Sequence, residues 1–354
     1  MSSEFMGGIL FIGTGSAGER ILSIAYATFK NLRSKENYFV AVNTSKKDHE
    51  RVQSYFEERG IKDHPNFLFE TIGEETLSGY GAGKDPKLGQ SAYETDKEKL
   101  LKRLKSLHKK ENFKIAITLS SLGGGCGTMV AGELSSDVRD EIGIRVVPIC
   151  TIPFRREGDL LVGNAILGLR NLLDKGLNPL IFDNELMMRF SQTVGEGVDR
   201  ANIIITSLVS SLVDLVEYGG FSNPPIDIID ITRLIIPQCG FFTVAYLDNL
   251  RDFKKKWKDL FEFNKSLVSQ PITQTNCFIM FKARSFPHEL VEDALSYLRT
   301  KYSAKEIIPT TIEDKSFSGY TIAAMVWGMS IEGIKPPLKT KRPLSEEIRK
   351  MFKI

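Results

Sequence analysis

Lys114–Leu119 reads as a buried strand. It gives way almost at once to Gly123-Gly124-Gly125-Cys126-Gly127-Thr128, ahead of a helical pattern over Val130–Asp140. One or two glycines in such a place serve a tight turn that needs positive φ. Four in five positions do more, because they leave backbone N–H groups bare just where a helix begins. That combination suits close approach by a phosphate, since the helix N-terminus adds positive potential.

A second loop of the same kind lies more than 100 residues upstream. The apolar run Ile9–Ile12 ends in Gly13-Thr14-Gly15-Ser16-Ala17-Gly18, and a helical pattern follows from about Glu19 to Leu32. Alone this is a GxGxxG fingerprint, which NAD enzymes share. Such a site wants an acid at the end of the second strand to hold ribose hydroxyls. Here the strand Tyr38–Val42 ends at Asn43, and no acid follows until Asp48. An NADP enzyme using Lys46 or Lys47 stays as the lesser reading. Two glycine loops on one sheet point instead to a polyphosphate held from two sides. A third glycine cluster, Gly79-Tyr80-Gly81-Ala82-Gly83-Lys84-Asp85-Pro86-Lys87-Leu88-Gly89, sits in the connection before a helix whose start is read at the capping box Thr95-Asp96-Lys97-Glu98. No GxxxxGK[ST] is present, so the chain is not a P-loop NTPase.

Strand, turn and helix alternate through the first half, continuing with a strand at Arg145–Cys150 and a helix at Leu160–Leu173. This predicts an α/β fold with a mainly parallel, doubly wound sheet and its ligand at the carboxyl ends of the strands. Asp199–Glu217 reads as one long, mostly apolar central helix. Beyond it, strands at Phe241–Leu247, Cys277–Ala283 and Thr321–Trp327 and a helix at His288–Leu298 predict a smaller α+β C-terminal domain. The expected organisation is 6–197 for the nucleotide-binding domain, 198–220 for the central helix, 221–330 for the α+β domain and 331–354 for a tail. In that tail Leu344, Ile348, Met351 and Phe352 share one face of a short helix, expected to dock a partner. Met6 is read as the native start, behind five added residues.

The 354 residues are 42% hydrophobic and 26% charged, ordinary values for a globular protein. A net charge of +3, from 47 basic and 44 acidic residues, calls for neither nucleic acid nor an anionic membrane. Cys126, Cys150, Cys239 and Cys277 are widely spaced with no CxxC, which argues against a disulfide framework or structural zinc. With no signal peptide and no transmembrane segment in view, a cytoplasmic location is expected.

In order, and over most of the chain, these motifs resemble the tubulin/FtsZ superfamily, whose strand-to-helix loops wrap one guanine nucleotide. Gly13, Gly15, Ser16, Ala17 and Gly18 match the first loop and Asn43, within Ala41–Thr44, the second. The stretch around Gly81, Ala82 and Gly83 matches the third. Gly123, Gly124, Gly125, Cys126, Gly127 and Thr128 stand for the family's GGGTGTG/S signature. Glu157, before Gly158, takes the place of the ribose-contacting acid. Asp183-Asn184-Glu185 resembles the tubulin stretch whose Asn contacts guanine, and Asn202 matches a second such Asn. An amide both donates and accepts, as guanine requires; taken alone, an Asn like Asn202 more often caps a helix, and the resemblance favours the base contact. The mixture is similar to archaeal CetZ and other divergent archaeal relatives.

Pro225-Ile226-Asp227-Ile228-Ile229-Asp230 resembles the family loop that enters the nucleotide site of the next subunit. An acid pair at i and i+3 shares one face of a helical turn, and the dipole alone would favour it there. The resemblance implies that Asp230, with Asp227, positions the attacking water. It further implies a Rossmann-like GTPase domain, GTP/GDP with Mg2+, head-to-tail filaments of the chain with itself, and hydrolysis at the contacts; no protein metal ligand is expected. Departures from the pattern are Cys126, Met129, Pro225 and Leu161. The last stands in place of an Arg near the terminal phosphate, with Arg155 and Arg156 as neighbouring substitutes. They leave open a filament or regulatory protein with little hydrolysis.

Overall fold

The computed structural model describes residues 8–187, 201–210, 212 and 228–331. Asp227, Pro225, both ends of the expected central helix and the tail with Leu344, Ile348, Met351 and Phe352 lie outside these residues.

The first half is built as the alternation predicts. β1 (Ile9–Thr14), β2 (Tyr38–Asn43), β3 (Phe67–Thr71), β4 (Ile115–Ser121), β5 (Arg145–Ile152) and β6 (Leu180–Asp183) are all parallel to their neighbours. Between them run α1 (Gly15–Thr28), α2 (Lys46–Glu58), α3 (Glu74–Leu77), α4 (Pro86–Glu111), α5 (Cys126–Asp137) and α6 (Asp159–Asp174), and α7 (Asn184–Met187) follows. β1 shows why its sequence is continuously apolar. Ile9 and Phe11 enter one core cluster, Leu10 and Ile12 another, so both faces of the strand are buried.

The expected helix start at Thr95 is corrected. α4 begins nine residues earlier at Pro86, with Asp85 as its cap accepting from the Lys87 N–H at 2.9 Å. Proline at the first position has no N–H to leave unpaired and its φ is already helical. Thr95 lies mid-helix, where its hydroxyl donates to the Ser91 carbonyl at 2.9 Å. Several elements escape the sequence reading, among them α2, β3, β6 and a helix at Leu250–Phe263, and for two the physical reason is plain. α2 is mostly polar and fully buries only His49, Val52 and Phe56. β9 (Ala304–Glu313) contains Pro309, which only an edge strand accommodates.

The second half contributes α8 (described over 201–210), α9 (Ile228–Arg233), β7 (Cys239–Leu247), α10 (Leu250–Phe263), β8 (Pro271–Ala283), α11 (His288–Tyr302), β9 and β10 (Tyr320–Met329). Its strands do not form a separate sheet. One ten-stranded sheet runs β3-β2-β1-β4-β5-β6-β7-β10-β8-β9, and its halves meet where Leu180 pairs with Gly240. A Cβ on Gly240 would stand 2.6 Å from the Val326 carbonyl oxygen, so only glycine fits the seam. Ile205, Leu208 and Val209 of α8 pack in a cluster with Phe11 and Phe182 of the first half and Phe242 and Met325 of the second. The helix thus binds both halves of the sheet.

Gly18 sets the height of α1 over the sheet, since a Cβ there would lie 2.3 Å from the Leu119 carbonyl oxygen. Overpacking of this kind costs about 1–3 kcal/mol when the neighbour can yield, and here the neighbour is strand backbone. Gly18→Ala is therefore expected to lower the unfolding free energy by about 2 kcal/mol or more in urea titrations. An unchanged midpoint would contradict this packing.

Candidate functional site

The carboxyl ends of β1, β2 and β4 open into one cavity of about 320 Å³. Of the residues singled out in the sequence, Gly15, Ser16, Ala17, Asn43, Gly81, Ala82, Gly83, Gly124, Gly125, Cys126 and Gly127 line it. Gly13, Gly18, Gly123 and Thr128 do not. They shape the loops instead: a Cβ on Gly13 would lie 2.7 Å from the Gly18 carbonyl oxygen, and one on Gly123 would press on Pro153 at 3.2 Å. The Thr128 hydroxyl turns inward, donating to the carbonyls of Leu122 (2.7 Å) and Gly124.

What the cavity offers is chiefly backbone. Neither α1 nor α5 has a side-chain cap, and neither carries an acid in its first turn. Two uncapped helix N-termini therefore bring N–H groups and positive potential to one space. The buried Thr14 hydroxyl has no hydrogen-bond partner there. These groups fit a phosphate chain, which would satisfy them together. Among the described residues no group of three His, Cys, Asp or Glu could hold a metal.

The second and third loops are held by a buried polar network. Glu19, fully buried, accepts from Asn43 Nδ2 at 3.0 Å and meets His49 Nδ1 at 2.6 Å. Asn43 Oδ1 accepts from the Thr44 N–H at 2.8 Å. Thr44 in turn accepts from the Gly81 N–H on its carbonyl and from the Ala82 N–H on its hydroxyl, both at 3.1 Å. Asn43 lines the cavity, yet its amide is spent on this scaffold. Sequence reading missed Glu19 and His49, because an acid one residue past a GxGxxG resembles any solvated helix position. It also missed Asn164 of α6, whose Nδ2 donates to the carbonyls of Lys84 (2.9 Å) and Gly123 (3.1 Å) and so ties the third loop to the fourth.

A second cavity of about 730 Å³ adjoins the first and shares Ser16, Ala17 and Asp48 with it. Asn202 lies on its wall, 6% exposed, with its side-chain nitrogen unpartnered. Leu186 of α7 and Ala201 of α8 pack together, which brings Asn184 and Asn202 onto neighbouring helices. Glu157 is tied back into its own loop, its Oε1 accepting from the Phe154 N–H at 3.0 Å. Arg155 faces Asp183 at 3.7 Å, and neither Arg155 nor Arg156 lines the first cavity.

Asp230 is elsewhere. Arg145, the first residue of β5, donates to Thr232 Oγ1 at 2.8 Å and so holds α9 at the amino end of the sheet. The glycine loops occupy the carboxyl end, roughly 25 Å away along an eight-residue strand. Asp230 pairs with Arg233 at 3.1 Å. It cannot serve the cavity of its own chain.

A mainly parallel sheet, antiparallel only where β10 meets β7 and β8, with glycine loops and uncapped helices at the carboxyl edge of its parallel strands, defines a nucleotide-binding α/β protein. The signature of the tubulin/FtsZ family GTPase domain spans residues 8–192, and the chain belongs to that family. Membership sets aside the NADP reading; Lys46, moreover, is paired with Glu74. The tubulin-like protein CetZ of Pyrococcus horikoshii is 26% identical over 242 residues, covering 67% of this chain and 60% of that protein. The cell division protein FtsZ 1 of Pyrococcus furiosus is 26% identical over 350 residues, 96% of this chain and 86% of that protein. The match thus spans only about 60% of the length of the CetZ relative. CetZ2 from Haloferax volcanii, solved as a GTPγS-bound protofilament, superposes with a TM-score of 0.79 at 18% identity, covering 99% of this chain and all of that one. At that identity the likeness establishes the fold.

Burial pushes the Cys126 thiol up to about 12, so it stays protonated at the cavity wall. The folded value lies above the ordinary one. The stability this thiol contributes is therefore intact below about pH 9 and is lost as the pH climbs towards about 12. Native protein at pH 8 should take up iodoacetamide at Cys126 far more slowly than urea-unfolded protein, read by peptide mass spectrometry. Equal rates would mean that the wall opens freely.

Proposed function

We propose that the chain is a cytoplasmic GTPase that stacks head to tail and hydrolyses GTP at each contact. The observation that carries the reading is the separation of the glycine-loop cavity and Asp230 to opposite ends of one sheet. A translation along the sheet axis brings the amino end of one copy onto the carboxyl end of the next. This is a heterologous contact that does not close, so it extends into a filament. Each contact would add Asp230 and Asp227 to a neighbour's cavity, where a carboxylate orients the attacking water.

The α- and β-phosphates fit the uncapped ends of α1 and α5, with Gly15 to Ala17 on one side and Gly124 to Gly127 on the other. Asn202 and Asn184 would read guanine, a reading supported by the unsatisfied buried amide of Asn202. With few protein ligands to hand, Mg2+ would be held mainly by phosphate oxygens and water, and would offset phosphate charge. The 331–354 tail is proposed to dock a partner through its apolar face. Its deletion should disturb localisation or bundling, seen by microscopy of tagged protein, and leave GTP turnover intact.

A second reading is favoured by two observations. The Asp230 carboxylate is already paired with Arg233, and the apolar Leu161 lies beside Gly123. Both would suit a filament protein with little hydrolysis. Phosphate release from GTP and ATP, recorded with light scattering over a range of protein concentrations, separates the two. Specific activity for GTP should rise above a threshold together with scattering, and Asp230→Ala should assemble while releasing phosphate at least about tenfold more slowly. Scattering without phosphate release would select the second reading, and wild-type rates in Asp230→Ala would remove Asp230 from catalysis.

A further inference from the structure

The phosphate cavity is poor in positive side chains. Leu161, beside Gly123, brings none. Arg155 faces Asp183, Lys46 is paired with Glu74, and Arg51 is paired with Asp48. Among the described residues that line this cavity, Lys84 is the single cation.

Its backbone is set with care. Lys84 has φ +67°, a left-handed conformation that a side chain with a Cβ adopts at a cost and keeps only where its surroundings enforce it. Three bonds do so. The Ala82 N–H donates to Thr44 Oγ1 ahead of it, and the Asp85 N–H donates to the Ala82 carbonyl at 2.8 Å behind it. Asn164, 6% exposed, donates to the Lys84 carbonyl itself at 2.9 Å. The same amide nitrogen holds Gly123, at the root of the fourth loop. Among the described residues the Lys84 ammonium has no ion-pair partner.

We infer that Lys84 is the cation that meets the terminal phosphate of the bound nucleoside triphosphate, and that Asn164 is the residue that positions it. The inference rests on the nucleotide reading above and extends it. An apolar Leu161 and an immobilised third-loop lysine are two parts of one arrangement, in which the positive charge enters from the third loop. A flexible ammonium on a fixed backbone reaches an oxygen as a point charge and needs no fork geometry. Its contribution should therefore fall on GTP and spare GDP.

The test uses full-length protein below its assembly threshold, with fluorescent GTP and GDP analogues titrated into wild type, Lys84→Met, Lys84→Arg, Asn164→Ala and the double variant Lys84→Met/Asn164→Ala. Lys84 is exposed, so its variants should fold as wild type does. Lys84→Met is expected to weaken GTP about tenfold, the scale of one charge-assisted hydrogen bond, with GDP changed less than about twofold. Lys84→Arg should keep most of the GTP affinity. Once Asn164 is removed, Lys84→Met should cost much less than it does alone, because a lysine no longer held in place has little left to lose. Additive losses would make Asn164 merely structural and overturn its part. An unchanged GTP-to-GDP affinity ratio in Lys84→Met, including a variant that fails only in assembly, would overturn the assignment of Lys84. Wild type that binds neither analogue would instead refute the nucleotide reading beneath it.

Discussion

At three glycines backbone lies directly on backbone where the ends of this protein's helices meet their neighbours. A Cβ on Gly15 would stand 2.8 Å from the Gly127 nitrogen, one on Gly18 would meet the Leu119 carbonyl, and one on Gly89 would lie 2.4 Å from the Gly125 carbonyl oxygen. No other residue fits these three contacts without shifting main chain. They bring the ends of α1 and α5 and the start of α4 close enough to share one cavity. The bare N–H groups that suit phosphate are thus a by-product of the packing that builds the sheet's carboxyl edge. A site of this kind needs few functional side chains, because the scaffold is itself the ligand cradle.

The polar network beneath the second loop follows from the same closeness. Once Gly81 and Ala82 bond to Thr44, the second and third loops move as one body. Glu19 fixes that body to α1 through Asn43. A buried carboxylate is tolerable only where its oxygens are engaged, and here His49 and Asn43 engage both. Asn164 does the equivalent work for the third and fourth loops from α6. Four loops separated in sequence are thereby locked by two buried side chains, neither of which lies on the cavity wall.

The division of the chain into ends has a further consequence. The carboxyl edge carries the cradle, and the amino edge carries α9, held by Arg145. Among the described residues nothing brings them together within one molecule. Any chemistry that needs both would have to arise between molecules, which under the proposed function would couple turnover to assembly.

Four strands of the parallel sheet, β1, β2, β4 and β5, were legible as apolar runs, β1 and β4 of them ending in glycine turns, and α6 and α11 because their buried residues recur at helical spacing. α2 was not legible, since three buried positions among thirteen residues leave almost no pattern. Nor was the true start of α4, where Asp85-Pro86 is a quieter signal than the capping box inside the helix. In the site, the glycine loops could be read directly, because bare backbone near a helix start has one dominant physical use. Which glycines face the cavity could not be read, since Gly13, Gly18 and Gly123 differ from their neighbours only in what packs over them. The sequence by itself determined most of the parallel strands with their glycine loops, and the family, all of which rest on local pattern. Tertiary structure alone decided that the two halves share a sheet, that Glu19 and Asn164 hold the loops, that Lys84 is the cation among the described residues lining the cavity and that Asp230 lies at the far end. Those facts depend on contacts between residues distant in sequence, which no local spacing encodes.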